Sequence, residues 1–249
     1  MGEGSAPGAA ARLDVVVPAH DEAESIAWAI RALREGLDAA AAGGSVAAGE
    51  VIVAIDRSTD GTEDIVRGVA EEPGAAVRIV RGDGGLGAAI RAGLTACTGD
   101  LVVYTDADLP FDPIELPRLV GALRRYEADA LCGYRFDRTS EGTRRAAQSH
   151  AFNLLVRAAL PVRVRDVNFA CKLLTREALD VVLPELQSEG PFIDVELVAR
   201  LERHGLRVVQ VGVDYFPRFD AASTLGGLGA IRDILREGWS LRGELRGRS

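Results

Sequence analysis

Short apolar runs alternate along this chain with longer stretches whose apolar residues recur every three or four positions. Leu13 to Val17, Val51 to Ile55, Val77 to Val80, Leu101 to Thr105 and Ala128 to Gly133 are runs of four to six residues bounded by Gly, Asp or Pro, which predicts five buried strands. Helical spacing lies between them, from about Glu22 to Leu37, from Asp60 to Ala70, and from Ala88 to Ala96. Asp21 with Glu24, and Asp60 with Glu63, have the spacing of a capping box, with Asp in place of Ser or Thr. Asp112-Pro113-Ile114-Glu115 places Asp at the N-cap and Pro at the first position of a further helix. Ala39 to Gly49 reads as a small-residue linker.

The second half changes character. Arg135 to Gln148 is polar, arginine-rich and without period, so a long loop is expected there. Helices are predicted over Ser149 to Leu160, Arg176 to Val182 and Pro191 to His204, the last ended by Gly205, and strands over Phe169 to Leu174 and Val208 to Val213. Leu225 to Leu245 interleaves apolar and basic positions as an amphipathic helix, suited to the sheet, to a second subunit in a homodimer, or to an anionic membrane surface. Strands and helices in this rhythm predict an α/β fold, with a mostly parallel sheet covered on both faces. One domain over residues 12–224 follows, with a flexible stretch 1–11 before it and the amphipathic segment 225–249 after it.

Composition narrows the chemistry. The 249 residues are 47% apolar and carry a formal charge of -8, which supports a full core and argues against a nucleic-acid binder. Three scattered cysteines, Cys97, Cys132 and Cys171, are neither a zinc set nor a disulfide framework, and fit a reducing cytoplasm. No apolar run approaches the roughly 18 to 20 residues of a membrane span. The expectation is a cytoplasmic chain whose only membrane contact is peripheral, at the inner face.

Ligands of open parallel sheets bind at the carboxyl ends of the strands. Asp21, Asp56, Asp83, Asp106 and Asp108 all fall at such ends, as an acidic rim. Asp106 and Asp108, one residue apart after an apolar strand, would face the same side if the chain stayed extended. Two such carboxylates suit a hard divalent cation, Mg²⁺ or Mn²⁺, with positions left for phosphate oxygens. Gly82 to Gly87 matches the dinucleotide pattern G-x-G-x-x-G, but it follows the third predicted strand where that fold puts it after the first.

Four stretches taken together resemble the family 2 glycosyltransferases of GT-A fold, and most of all their dolichyl- and polyprenyl-phosphate sugar synthases. They are Val15 to Glu22, Asp56 to Thr62, Gly85 to Gly93 and Thr105 to Leu109, and the likeness continues through Gly133-Tyr134-Arg135, Arg165 to Lys172 and Tyr215 to Arg218. The resemblance implies a GDP- or UDP-hexose donor, held by Pro18, Ala19, Asp21, Glu22, Asp56, Asp83, Gly85, Leu86, Gly87, Arg91 and Lys172. It further implies a diphosphate on metal at Asp106, Ala107 and Asp108. Asp106, Asp108 and Arg135 are the implied catalytic set, and inversion by single displacement is the implied course.

A polyprenyl phosphate acceptor brings its own nucleophile and needs cations, for which Arg135, Arg144, Arg145 and, in a closing loop, Arg218 and Ser223 are the candidates. A small hydrophilic alcohol would need a carboxylate base, with Asp194 and Glu196 the candidates. A nucleotidyltransferase is a further alternative, though it expects a more basic glycine loop. The chain departs from the family pattern at Ile55-Asp56-Arg57-Ser58, where Asp-Asp-Gly-Ser is frequent, at Leu109-Pro110 in place of Leu-Gln, and at Ala170-Cys171-Lys172 in place of Gly-Phe-Arg or Gly-Phe-Lys.

Overall fold

The computed structural model describes residues 10–82, 84–136, 152–158, 160, 162–214, 238, 241 and 243. Among these, seven strands form one sheet in the order β3-β2-β1-β4-β6-β5-β7. They are β1 (Arg12–Ala19), β2 (Ala47–Ile55), β3 (Val77–Arg81), β4 (Leu101–Thr105), β5 (Ala130–Arg135), β6 (Cys171–Thr175) and β7 (Val208–Val213). All neighbours pair in parallel except β6, which runs antiparallel to both β4 and β5. The helices are α1 (Ile26–Ala42), α2 (Thr62–Ala70), α3 (Leu86–Ala96), α4 (Leu116–Arg125), α5 (152–158), α6 (Arg176–Val182) and α7 (Ile193–Arg203).

β1 lies inside the sheet and reads Arg-Leu-Asp-Val-Val-Val-Pro-Ala because both of its faces are covered. Val15 and Val17 pack with α1, α2 and α4 on one side, and Val16 packs with α3 and α7 on the other. At the amino end of the sheet the buried Asp14 carboxylate accepts from the amides of Glu50, Thr98 and Gly99 and from Arg12. Burial works to raise Asp14, yet these donors outweigh it and hold its pKa below the usual carboxylate range.

α7 is buried along Ile193 to Leu201, one side against the sheet and the other against Val156, Val162 and Val167. Leu241 joins this last cluster, and Gly238 lies against Phe192. Apart from these two and Gly243, segment 225–249 lies outside the described residues, as do Asp83, Arg144, Arg145, Arg218 and Ser223. Among the described residues no helix is long and apolar enough to cross a membrane.

Three local expectations are corrected. The predicted linker 39–49 is absorbed by α1, which runs to Ala42, and by β2, which starts at Ala47, because alanine continues a helix readily. Asp21 does not cap α1. Ser25 holds that position, while the Asp21 carboxylate accepts from the Thr59 amide at 2.7 Å. Asp60 sits one residue before the α2 cap, which is Gly61, and its carboxylate binds the amides of Thr62 and Ala23. Long-range partners across the β1 and β2 loops win over the local box.

Candidate active site

The carboxyl ends of β1, β2 and β4 meet at one edge of the sheet, with Ala19 in register with Ile55 and Val16 with Tyr104. The loops after β1 and β2 are stitched together. Asp21 N donates to Ser58 Oγ, Glu22 N to Thr62 Oγ1 and Ala23 N to Asp60 Oδ2. Asp21 and Arg57 both hold positive φ, 54° and 45°.

β4 ends at Thr105, so Asp106 and Asp108 ride on a turn and not on an extended strand. The turn is closed by Leu109 N donating to Asp106 O at 3.1 Å, with Leu109 buried at φ 47°. Ala107 packs into the core beneath α1. Asp106 faces the opposite layer, where Tyr104 Oη donates to Asp106 Oδ1 at 3.3 Å. Burial pushes the Asp106 carboxyl up to about 8, and the neighbouring carboxylates of Asp194 and Asp108 push the same way. Lys172 and Tyr104 offset this in part. Glu22 is raised as well, first by burial, against the Ser25 hydroxyl bond, and then by Asp108 and Asp60.

This crowding of acids is what a divalent cation relieves, and hard carboxylate oxygens are the donor set it prefers. Among the described residues no group of three or more His, Cys, Asp or Glu could hold a metal alone. A cation on Asp106 and Asp108 would therefore complete its shell with ligand oxygens.

Behind the acids lies a buried ion pair. The antiparallel register sets Lys172 opposite Tyr104, and Lys172 Nζ donates to Asp194 Oδ1 at 2.6 Å and to Phe169 O at 3.0 Å. Burial works to lower the Lys172 pKa, but the Asp194 carboxylate outweighs it and the ammonium stays charged. Lys172, a residue expected at the donor, is 2% exposed, and its partner Asp194 is a residue expected at the acceptor.

Glu196, the other expected base, is held by the fold as well. Its carboxylate receives Gln187 N, Ser188 N and the Arg200 guanidinium, which also reaches Glu185. Arg91 donates to Ser188 O. The glycine turn serves the same segment. Gly87 N donates to Glu189 O, and a Cβ on Gly87 would come 2.1 Å from Ser188 O. Among the described residues, the close approach that Gly85 and Gly87 allow is to residues 188–189. Asp56 sits under the turn, its Oδ1 accepting Gly84 N.

Arg135, at the end of β5, is clamped by Asp166. Nε and Nη2 donate to the two carboxylate oxygens at 2.7 and 2.9 Å, and the guanidinium lies 5.6 Å from the Phe169 ring centroid. Phe169 thus links Arg135 through its ring to Lys172 through its carbonyl. Sequence reasoning missed Tyr104, although its position two residues before Asp106 gives both the same face. It also missed Phe169 and Asn168, whose buried Oδ1 has no hydrogen-bond partner among the described residues.

A mostly parallel seven-stranded sheet with an acidic pair on the turn after β4 is the architecture of the GT-A glycosyltransferases. Residues 14–183 match Glycosyl transferase family 2, and the chain belongs to that family. It is 34% identical over 244 residues to Glycosyltransferase AglD of Haloferax volcanii, covering 95% of this chain but only 38% of that protein. It is 30% identical over 247 residues to the undecaprenyl-phosphate mannosyltransferase of Micrococcus luteus, covering 94% of this chain and 96% of the relative. Of other relatives it spans about half the length or less. Glucosyl-3-phosphoglycerate synthase from Mycobacterium tuberculosis, solved with Mn²⁺, UDP-glucose and phosphoglyceric acid, superposes at TM-score 0.70 with 24% identity. That match covers 94% of this chain and 80% of the other.

Proposed function

We propose that this chain transfers a hexose from a nucleotide sugar to polyprenyl phosphate, with a divalent cation, Mg²⁺ or Mn²⁺, held by Asp106 and Asp108. The observation that carries the acceptor class is the fate of the two candidate bases. Asp194 is spent on Lys172, and Glu196 on two amides and Arg200. A phosphate monoester arrives already ionised and needs neither. The name of the near full-length Micrococcus luteus relative supports the same choice.

In this reading the donor lies across the ends of β2, β1 and β4. Bound at Asp106 and Asp108, the cation would neutralise charge developing on the departing nucleoside diphosphate. The acceptor phosphate rests on Arg135, whose plane is fixed by Asp166 and Phe169, so little ordering is left to be done on binding. A phosphate oxygen attacks the anomeric carbon as the bond to the nucleoside diphosphate breaks, and the configuration inverts. Asp83, Arg144, Arg145, Arg218 and Ser223 remain part of the proposal on the strength of the family pattern.

The test is an assay of purified protein with Mn²⁺ and labelled GDP- or UDP-hexoses, offered polyprenyl phosphate and water-soluble acceptors side by side. Label moving into the organic phase supports the reading. Label confined to aqueous product overturns the acceptor, and release of pyrophosphate in place of nucleoside diphosphate overturns the reaction.

A further inference from the structure

Among the described residues Tyr104 is the bulkiest fully buried side chain, 1% exposed, and it lies with Val16, Leu94 and Ile193 in the layer between the sheet, α3 and α7. An apolar ring would fill the same space, so packing does not account for the hydroxyl. A buried phenol needs a partner, and the one hydrogen bond that Oη makes among the described residues is the 3.3 Å bond to Asp106 Oδ1.

The ring itself has little freedom. Lys172 stands opposite it in the antiparallel register, and its ammonium, fixed by Asp194 and the Phe169 carbonyl, lies 5.7 Å from the ring centroid. Apolar side chains of the core pack around the rest. The hydroxyl is therefore aimed by the core and not by the loop it reaches.

Asp106 is the opposite case. It rides on the turn after β4, where no strand ladder fixes it, and its two carboxylate oxygens differ in surroundings. Oδ1 takes the Tyr104 hydroxyl, whereas Oδ2 makes no hydrogen bond among the described residues and is not shut off from solvent. One oxygen tied inward and the other left open is what a carboxylate lending a single oxygen to a cation requires.

We propose that Tyr104 is a positioning residue of the cation site, its hydroxyl holding Asp106 Oδ1 so that Oδ2 faces the ion. This rests on the reading above that Asp106 and Asp108 hold a divalent cation. Tyr104 touches neither the ion nor a substrate and acts through Asp106 alone. Without the hydroxyl the carboxylate is free to turn about its bond to Cβ, and each binding event has to arrest that turning. Partners that orient a metal-ligating side chain are worth about tenfold to a hundredfold in metal affinity. The length of this hydrogen bond puts Tyr104 at the lower end of that range.

The experiment compares wild type with Y104F, which keeps the ring and removes only the hydroxyl; a Tm within about 3 °C of wild type checks the fold. Mn²⁺ binding in the presence of UDP or GDP, followed by electron paramagnetic resonance, is expected to weaken about tenfold in Y104F. Turnover of Y104F is expected to need correspondingly more Mn²⁺ and to return to the wild-type level once Mn²⁺ saturates, a rescue that a defect in packing would not show. A loss of Mn²⁺ affinity under about threefold, or turnover that saturating Mn²⁺ fails to restore, overturns this inference and leaves the proposed function standing. No Mn²⁺ binding by wild type with either nucleotide overturns both this inference and the cation site it rests on.

Discussion

Replacing Lys172 by methionine removes the cation of a pair in which both side chains are nearly inaccessible, 2% and 7% exposed. Asp194 is then left as a buried carboxylate without the ammonium 2.6 Å away, and the Phe169 carbonyl keeps only the Cys171 amide of its two donors. Breaking a buried pair from one side costs about 3–5 kcal/mol. In a chain of this size, about 2–4 °C of Tm per kcal/mol makes that a fall of about 10 °C. Adding Asp194→Leu removes the stranded charge, and K172M/D194L should recover at least half of the loss. Urea denaturation of the two single variants, the double variant and wild type closes the cycle. The Asp106 carboxyl provides a second readout, since loss of Lys172 alone removes the main opposite charge acting on it. The titration of Asp106 in the metal-free protein should therefore move further up in K172M and return toward wild type in the double variant. A K172M protein within about 1 kcal/mol of wild type, or a double variant no better than the single, would refute the reasoning.

Other outcomes follow from the same structure. Asp106 binds its proton up to about pH 8 when folded, against an ordinary value of 3.8, so between those values the folded chain holds more protons than the unfolded one. Stability of the metal-free protein should fall as pH rises through that window, by at most about 6 kcal/mol, and level off above it. Urea titrations from pH 5 to 9 should show this fall in wild type and not in D106N, and a rise with pH in wild type and not in D106N would contradict it. Gly87→Ala should lower Tm by several degrees in thermal melts, because the new methyl meets the Ser188 carbonyl at 2.1 Å and breaks the clasp on residues 188–189. Asp14→Ala should cost about 2–4 kcal/mol in urea denaturation, since it strands the buried Gly99 amide and two partly buried amides at the amino end of the sheet.

Much of this molecule was legible before any coordinates. Both faces of the sheet are covered, so its strands read as plain apolar runs, and each predicted strand is present. The acid pair was legible too, because it ends such a run. The reversed direction of β6 was not, since apolar periodicity carries no sign of strand direction. Nor was the use of the glycine turn. Gly85 and Gly87 stand as a ligand cradle would, but what they make room for is a segment a hundred residues further on. The partner of Arg91, Ser188, is as far off in sequence and equally invisible to local spacing. The clamp of Asp166 on Arg135 spans 31 residues and was equally out of reach of local spacing. The caps failed at Asp21 and Asp60 because local spacing cannot reveal a competitor across the β1 and β2 loops.

The account stands on Asp106 and Asp108 holding a cation that carries the donor's diphosphate. Electron paramagnetic resonance titration of Mn²⁺ in the presence of UDP or GDP tests this directly in wild type, D106N and D108N. Wild type should bind Mn²⁺ together with the nucleotide, and each variant should weaken that binding at least about tenfold while D106N keeps or gains thermal stability, because it removes a carboxyl that burial already disfavours. Unchanged Mn²⁺ binding in either variant would contradict the account.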